Sequence, residues 1–223
     1  MTASAPSHES CHAALSSLAP HRHAAPYAAL VLDGSYEEAS MDGRFACSRG
    51  TLVLHPSWHA HGDSFGAGGA VVLNIARDGF EPDALQAFQV PDPDAIAMLA
   101  RTDPVQAAGA ALEEARPHPP LAPASWLVRY VDALFGEDRI ETGILARRIG
   151  VSPEHASRAC KTWFGLSPSA LRREGQLHRA IATLRAGGSP SAAAHEGGFC
   201  DQPHLTRFLK RMTGLTPARL RCA

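Results

Sequence analysis

The chain has 223 residues, 45% hydrophobic and 19% charged, with 19 Gly, 17 Pro and 12 His, a composition that excludes disordered and fibrous proteins and allows one or two ordinary cores. Its net charge of -1 covers an uneven split: residues 1–123 hold 6 Lys and Arg against 14 Asp and Glu, whereas residues 124–223 hold 15 against 8. A polyanion is therefore the leading partner for the second half, and the first half is kept off the same surface by its own charge.

Residues 1–19 are rich in Ser, Ala and His and contain no apolar run of signal-peptide length, so they are expected to be disordered. No stretch approaches a membrane span, which points to a cytoplasmic protein without a membrane partner. Cys11, Cys47, Cys160, Cys200 and Cys222 are odd in number and never form a CxxC pair. They read as free thiols rather than a disulfide framework or a cysteine-based zinc module.

From Tyr27 to Ile75 short apolar runs (YAALVLDG, RFAC, GTLVLHP, GAVVLNIA) alternate with Gly, Asp, Ser and Pro. That rhythm predicts a small antiparallel β barrel or sandwich over residues 20–90. After the Pro-Asp repeat at residues 91–94, AIAMLARTDPVQAAGAALEEA has helical spacing broken at Pro104. RPHPPLAPAS, residues 116–125, carries four Pro in ten residues. Residues 91–124 are thus predicted to be a helical connector ending in a stiff linker.

Everything after residue 124 reads as helical. Two units repeat there: ILARRIG before VSPEHASRACKTWFG, and SAAAHEGG before FCDQPHLTRFLKRMTG. Each is a short helix, a Gly-containing turn, then an N-cap and a longer amphipathic helix. Ser152 with Pro153, and Asp201 before Gln202 and Pro203, open the long helices; Gly165 and Gly214 close them. Short helix, tight turn, second helix is helix-turn-helix grammar. In the first long helix Ala156, Ala159, Cys160, Trp163 and Phe164 share one face, leaving Glu154, Ser157, Arg158 and Lys161 on the other. In the second, Leu205, Phe208, Leu209 and Met212 turn inward and Gln202, His204, Thr206, Arg207 and Lys210 outward. Either polar face alone could be an ordinary solvated surface. Two of them in a half of net charge +7 fit base edges and phosphates, since Gln and Arg read adenine and guanine and Lys and Thr suit phosphate.

GFCDQPHLTRFLKRMTGLTPARLR, Gly198 to Arg221, resembles the C-terminal signature of the AraC/XylS family of bacterial transcription regulators, and residues 125–223 fit that family's double helix-turn-helix domain. The resemblance implies seven helices, a connecting helix around Ser169–Ala186, and two recognition helices in successive major grooves about 34 Å apart. It departs from the family at Ala156 and Cys160, where Leu and Phe are usual, at Gln176 for Arg, and at Ala193 for Ile. Each lost apolar group forgoes burial worth on the order of 1 kcal/mol or more.

More distantly, HRHAAPYAALVLDG and GTLVLHPSWHAH resemble the two motifs of the cupin-like effector domain that many members of this family carry. By that mapping His21, His23 and His61 take three of the four cupin metal-ligand positions and Tyr27 takes the acidic one. Residues two apart on a strand share a face, so His21 and His23 can converge with His61 inside a barrel. Three imidazoles suit Zn²⁺, with Fe²⁺ as the alternative; without a metal they would line a pocket for an organic effector. His55 and His59 offer alternative ligands, and His8, Cys11 and His12 an extra soft cluster. The expected protein is α+β: a cupin-like barrel, a helical connector and an all-α DNA-binding domain. Its expected function is sequence-specific transcription regulation on promoter DNA under a small-molecule or metal effector, with RNA polymerase and a second copy of the chain as further partners. A cupin-type metalloenzyme fused to a DNA-binding domain is the competing reading. It is disfavoured because Glu37 and Glu38 lie beyond the Gly34 turn, leaving no carboxylate at the ligand position, and no catalytic fingerprint appears.

Overall fold

The computed structural model describes residues 7–76, 81–136 and 140–221; Cys222 and residues 1–6 lie outside these. The chain forms two compact units whose main boundary falls between Ala122 and Pro123. Among the described residues no helix is long and apolar enough to cross a membrane.

The first unit is an antiparallel sheet of β1 (His8–His12), β2 (Ser17–His21), β3 (Tyr27–Ser40), β4 (Gly43–Ser48), β5 (Thr51–His55), β6 (His61–Ala76), β7 (Gln86–Gln89) and β8 (Arg116–His118). The hydrogen-bonded order is β1-β6-β3-β5-β7-β8, with β2 also on β6 and β4 also on β3. The two long strands β3 and β6 form its spine, pairing from Tyr27↔Ala76 to Ser40↔His61 with register shifts around Asp33 and Gly34. Gly34 has φ +72°, and a Cβ there would stand 2.1 Å from the Gly69 carbonyl oxygen. Only glycine fits. The residue is a bulge inside a continuous strand rather than the turn its sequence suggested, so β3 runs on and carries Glu38 back over β6.

Side chains alternate across the strands. Ala28, Leu30, Leu52, Leu54, Leu73 and Ile75 face one way and pack on α1 (Pro93–Ala100) and α2 (Pro104–Glu113) through Ile96, Ala97, Ala100, Ala107, Ala108 and Ala111. Ala29, Val31, Tyr36, Phe45, Val53, Phe65 and Val72 face the other way and form a second core. Pro93 and Pro104 stand at helix N-termini, each behind an aspartate cap, Asp92 or Asp103.

Two expected boundaries are corrected. Residues 8–12 and 17–21 are not disordered but paired strands on β6, because β6 would otherwise be left with an open edge. The stretch read as a connector belongs to the first unit: α1 and α2 cover the sheet, and β8 pairs with β7 inside the Pro-rich segment. Pro117 is tolerated there because β8 lies at the end of the strand order.

The second unit contains seven described helices, α3 (Ser125–Gly136), α4 (Thr142–Ile149), α5 (Pro153–Phe164), α6 (Pro168–Arg185), α7 (Pro190–Glu196), α8 (Gln202–Thr213) and α9 (Pro217–Leu220). Leu127, Tyr130 and Leu134 of α3 are buried, as are Leu171, Leu177 and Leu184 of α6, and Leu205 and Leu209 of α8. The departures Ala156, Cys160 and Ala193 are fully buried as well. Burial pushes the Cys160 thiol up to about 12, so it is an inert core group.

Candidate functional site

A cavity of about 370 Å³ is lined from β1, β2, β3, β5 and β6. At its centre stands His61, the first residue of β6, opposite His21 of β2 in the strand register. Their rings are 4.4 Å apart, and those of His23 and His55 lie 5.4 and 4.5 Å from His61. His23 is drawn in by its backbone, whose carbonyl accepts a 2.7 Å hydrogen bond from the Trp58 amide. Tyr27 stacks flat on His55 at 4.2 Å and places its hydroxyl 3.1 Å from His61 Nε2. Burial first, then the neighbouring His55, His21 and His23, holds the His61 imidazole well below its ordinary pKa. His23 is exposed overall, but its ring is partly enclosed between those of His21 and His61, and that desolvation first, then His21 and His55, lowers its pKa to about 4. Both rings are thus neutral at pH 7, the state in which imidazole offers a lone pair.

The sequence-predicted triad does come together: one ring nitrogen from each of His21, His23 and His61 lies within 4.8 Å of the others. A second set does so too, formed by Glu38, His55 and His61. Glu38 was not expected here. Its Oε1 accepts from His55 Nε2 at 2.8 Å, and the Tyr36 hydroxyl donates to its Oε2 at 3.4 Å. A carboxylate therefore does reach the histidine cluster, contrary to the expectation from sequence, because Gly34 is a bulge and β3 continues past it. The alternation Tyr36, Glu38 along a strand paired with β6 was the signal that could have found it. Asp63, opposite Glu38 across the ladder, also lines the cavity, and burial next to the Glu38 charge pushes its carboxyl up to about 8.

The other histidines separate. His59 Nε2 binds Asp42 Oδ2 at 2.7 Å and does not line the cavity. His8 and His12 line it beside Ser10, and His12 stacks on Phe65 at 4.1 Å. Cys11, one residue out of phase on β1, is exposed on the opposite face, so the expected soft cluster is not assembled.

In the second unit, the turn between α4 and α5 places Ser152 Oγ 3.1 Å from the His155 amide it accepts from, and Asp201 Oδ1 caps α8 at the His204 amide. On α5, Glu154, Arg158 and Lys161 are exposed and Ser157 is half-buried. Glu154 is tied to the helix start: hydrogen bonds from its own amide and from Ser152 lower its carboxyl pKa. On α8, Gln202, His204, Arg207 and Lys210 are exposed, while Thr206 is half-buried with its hydroxyl donating to the Gln202 carbonyl. The His204 ring stands edge-on to Phe199 at 5.3 Å. Leu205, Phe208 and Leu209 are buried and Met212 half-buried, so the two faces of α8 divide as the spacing predicts.

A family of helix-turn-helix domains matches residues 145–223. The second unit carries an AraC-type helix-turn-helix domain. Within it α4–α5 and α7–α8 each set a short helix, a turn and a longer helix in sequence, the arrangement of a helix-turn-helix pair, and such a domain implies DNA binding. Among solved structures, the C-terminal domain of AraT, a response regulator from Geobacillus stearothermophilus, is similar with a TM-score of 0.41 and 19% identity, over 44% of this chain and 85% of that one. ToxT from Vibrio cholerae O395 is similar with a TM-score of 0.45 and 7% identity, over 97% and 96% of the two chains. ToxT from strain SCE256 bound to an unsaturated fatty acid gives 0.42 and 8%, over 97% and 94%. No curated protein matches the sequence.

Proposed function

We propose that the chain is a cytoplasmic, sequence-specific transcription regulator of double-stranded promoter DNA, in which an occupant of the sheet cavity biases DNA binding or pairing with a second copy of the chain, with RNA polymerase as the machinery it acts on. The observation that carries this reading is the presence in one chain of an AraC-type DNA-binding domain and, in a separately packed unit, a histidine-rich cavity. The occupant is a small organic effector or a divalent ion, Zn²⁺ or alternatively Fe²⁺, with His21, His23 and His61 as ligands. The residues fit an ion: the three imidazoles are close together, and His61 Nδ1 is buried without a hydrogen-bond partner. A bound ion would supply a fixed positive charge linking β2 and the segment after it to β6.

The test is selection of DNA from a random library by the full chain at fixed salt. A bipartite motif with elements about one helical turn apart is the expected result. Uniform recovery without sequence enrichment would reduce the protein to a non-specific DNA-coating role.

A further inference from the structure

We propose that the divalent ion of the cavity is held by Glu38, His55 and His61, a two-histidine, one-carboxylate set, rather than by the three imidazoles His21, His23 and His61. The inference rests on the reading that the cavity takes a metal ion, and it reassigns the ligands.

The three residues come from three strands, β3, β5 and β6, with one donor atom of each within 4.8 Å of the others. Donors around a first-row ion at about 2.1 Å stand roughly 3.0–3.5 Å apart, so the set has to close by no more than about 1–2 Å. Glu38, His55 and His61 are 1%, 2% and 3% exposed, while His21 is half-buried and His23 exposed. A buried site excludes the water that competes for an ion, and its own ligands lose little freedom on binding.

Charge separates the two sets more sharply. Glu38 and Asp63 face the cavity, and among the described residues no Lys or Arg lines it. A buried carboxylate without a cation is costly, and the His55 and Tyr36 hydrogen bonds answer Glu38 only in part. A divalent ion in the three-imidazole set would gain no direct counter-charge, whereas Glu38 supplies one.

The ring nitrogens give the second, independent observation. His61 Nε2 is engaged by Tyr27, yet its Nδ1 is buried without a hydrogen-bond partner. His55 Nε2 and Glu38 Oε1 stand 2.8 Å apart, close to the spacing of two donors on one ion, so an ion in place of the proton they share would meet both. An orphaned ring nitrogen such as His61 Nδ1 is unfavourable unless something binds it. Two nitrogens and one carboxylate, with the remaining positions open to the cavity, suit Fe²⁺, Mn²⁺, Co²⁺ or Zn²⁺.

The experiment uses the full chain, stripped with chelator and titrated with Co²⁺, read by visible absorption and calorimetry. One equivalent is expected, with Glu38→Gln and His55→Ala each weakening Co²⁺ at least tenfold and His21→Ala and His23→Ala changing it less than threefold. The reverse order overturns the assignment and leaves the cavity's metal reading standing. X-ray absorption of the Zn²⁺-loaded wild-type chain is independent of how the variants fold: two imidazoles with oxygen donors support the set, and three imidazoles overturn it. A wild-type chain that takes up no Co²⁺, Zn²⁺, Fe²⁺ or Mn²⁺ overturns both metal readings, and its affinity for library-selected DNA reports separately on the regulator.

Discussion

Gly34→Ala is the substitution that most directly tests how the fold builds the cavity. The residue holds φ +72°, a left-handed conformation that costs an L side chain about 1–2 kcal/mol. Its Cβ would stand 2.1 Å from the Gly69 oxygen, 2.8 Å from its carbonyl carbon and 2.9 Å from the Ala70 Cα. All three are backbone atoms, so β3 and β6 must part locally, at the expense of one or two ladder hydrogen bonds worth about 1 kcal/mol each. The sum, about 2–4 kcal/mol, is a large share of a typical domain's stability, and lowers the melting temperature by roughly 8–20 °C. Gly109 is the control: it lies inside α2, and a Cβ there meets nothing within 4 Å. Gly109→Ala should raise stability by about 0.5–1 kcal/mol. Calorimetric melting of the two variants beside the wild type decides the matter. A Gly34→Ala protein melting within 3 °C of wild type would show that the bulge is not locked by glycine, and the account of how Glu38 reaches the cavity would go with it.

Arg158→Ala and Arg207→Ala should each weaken binding to library-selected DNA by about 1–3 kcal/mol while sparing random DNA; an unchanged preference in competition anisotropy would remove that helix from sequence reading. Lys161→Ala or Lys210→Ala should lower affinity for all sequences and flatten the salt slope by about one unit, and a sequence-dependent loss would contradict a phosphate role. In metal-free protein, unfolded histidines protonate near 6.5, whereas folded His23 does so only at about 4 and His61 lower still, so this contribution to stability is lost as pH falls below about 6.5. Asp63 acts oppositely: its carboxyl keeps its proton to about 8 when folded but ionises near 3.8 when unfolded, so stability is lost as pH rises through that window. Denaturant titrations should therefore show a maximum near pH 6.5, and Asp63→Asn should flatten the decline toward pH 8; an unaltered decline would place its cause elsewhere. Residues 123–223 alone should fold and bind DNA without responding to effector or metal, and an insoluble fragment in circular dichroism and gel-shift assays would refute the independence of that unit.

The AraC-type domain was legible almost whole in the sequence because its information is local. Caps at Ser152 and Asp201, stops at Gly165 and Gly214, and the 3.6-residue spacing of Leu205, Phe208, Leu209 and Met212 each act within a turn or two of helix, and the structure places the helices accordingly. His21, His23 and His61 were also readable as a group, since their spacing alone sets which strand faces they share. The rest depended on pairing between distant segments. Whether a glycine turns the chain or bulges a strand is decided by what lies across from it, here Gly69 and Ala70, some 35 residues away in sequence. That choice carried Glu38 into the cavity beside His55 and His61. The strands at residues 8–12 and 17–21, too polar to predict by themselves, form because β6 offers them an unpaired edge. α1 and α2 join the first unit because their alanines meet the apolar face of the sheet. Local propensity and periodicity are properties of a segment, whereas register and edge pairing, and the burial of a charge that follows from them, exist only once the segments have met.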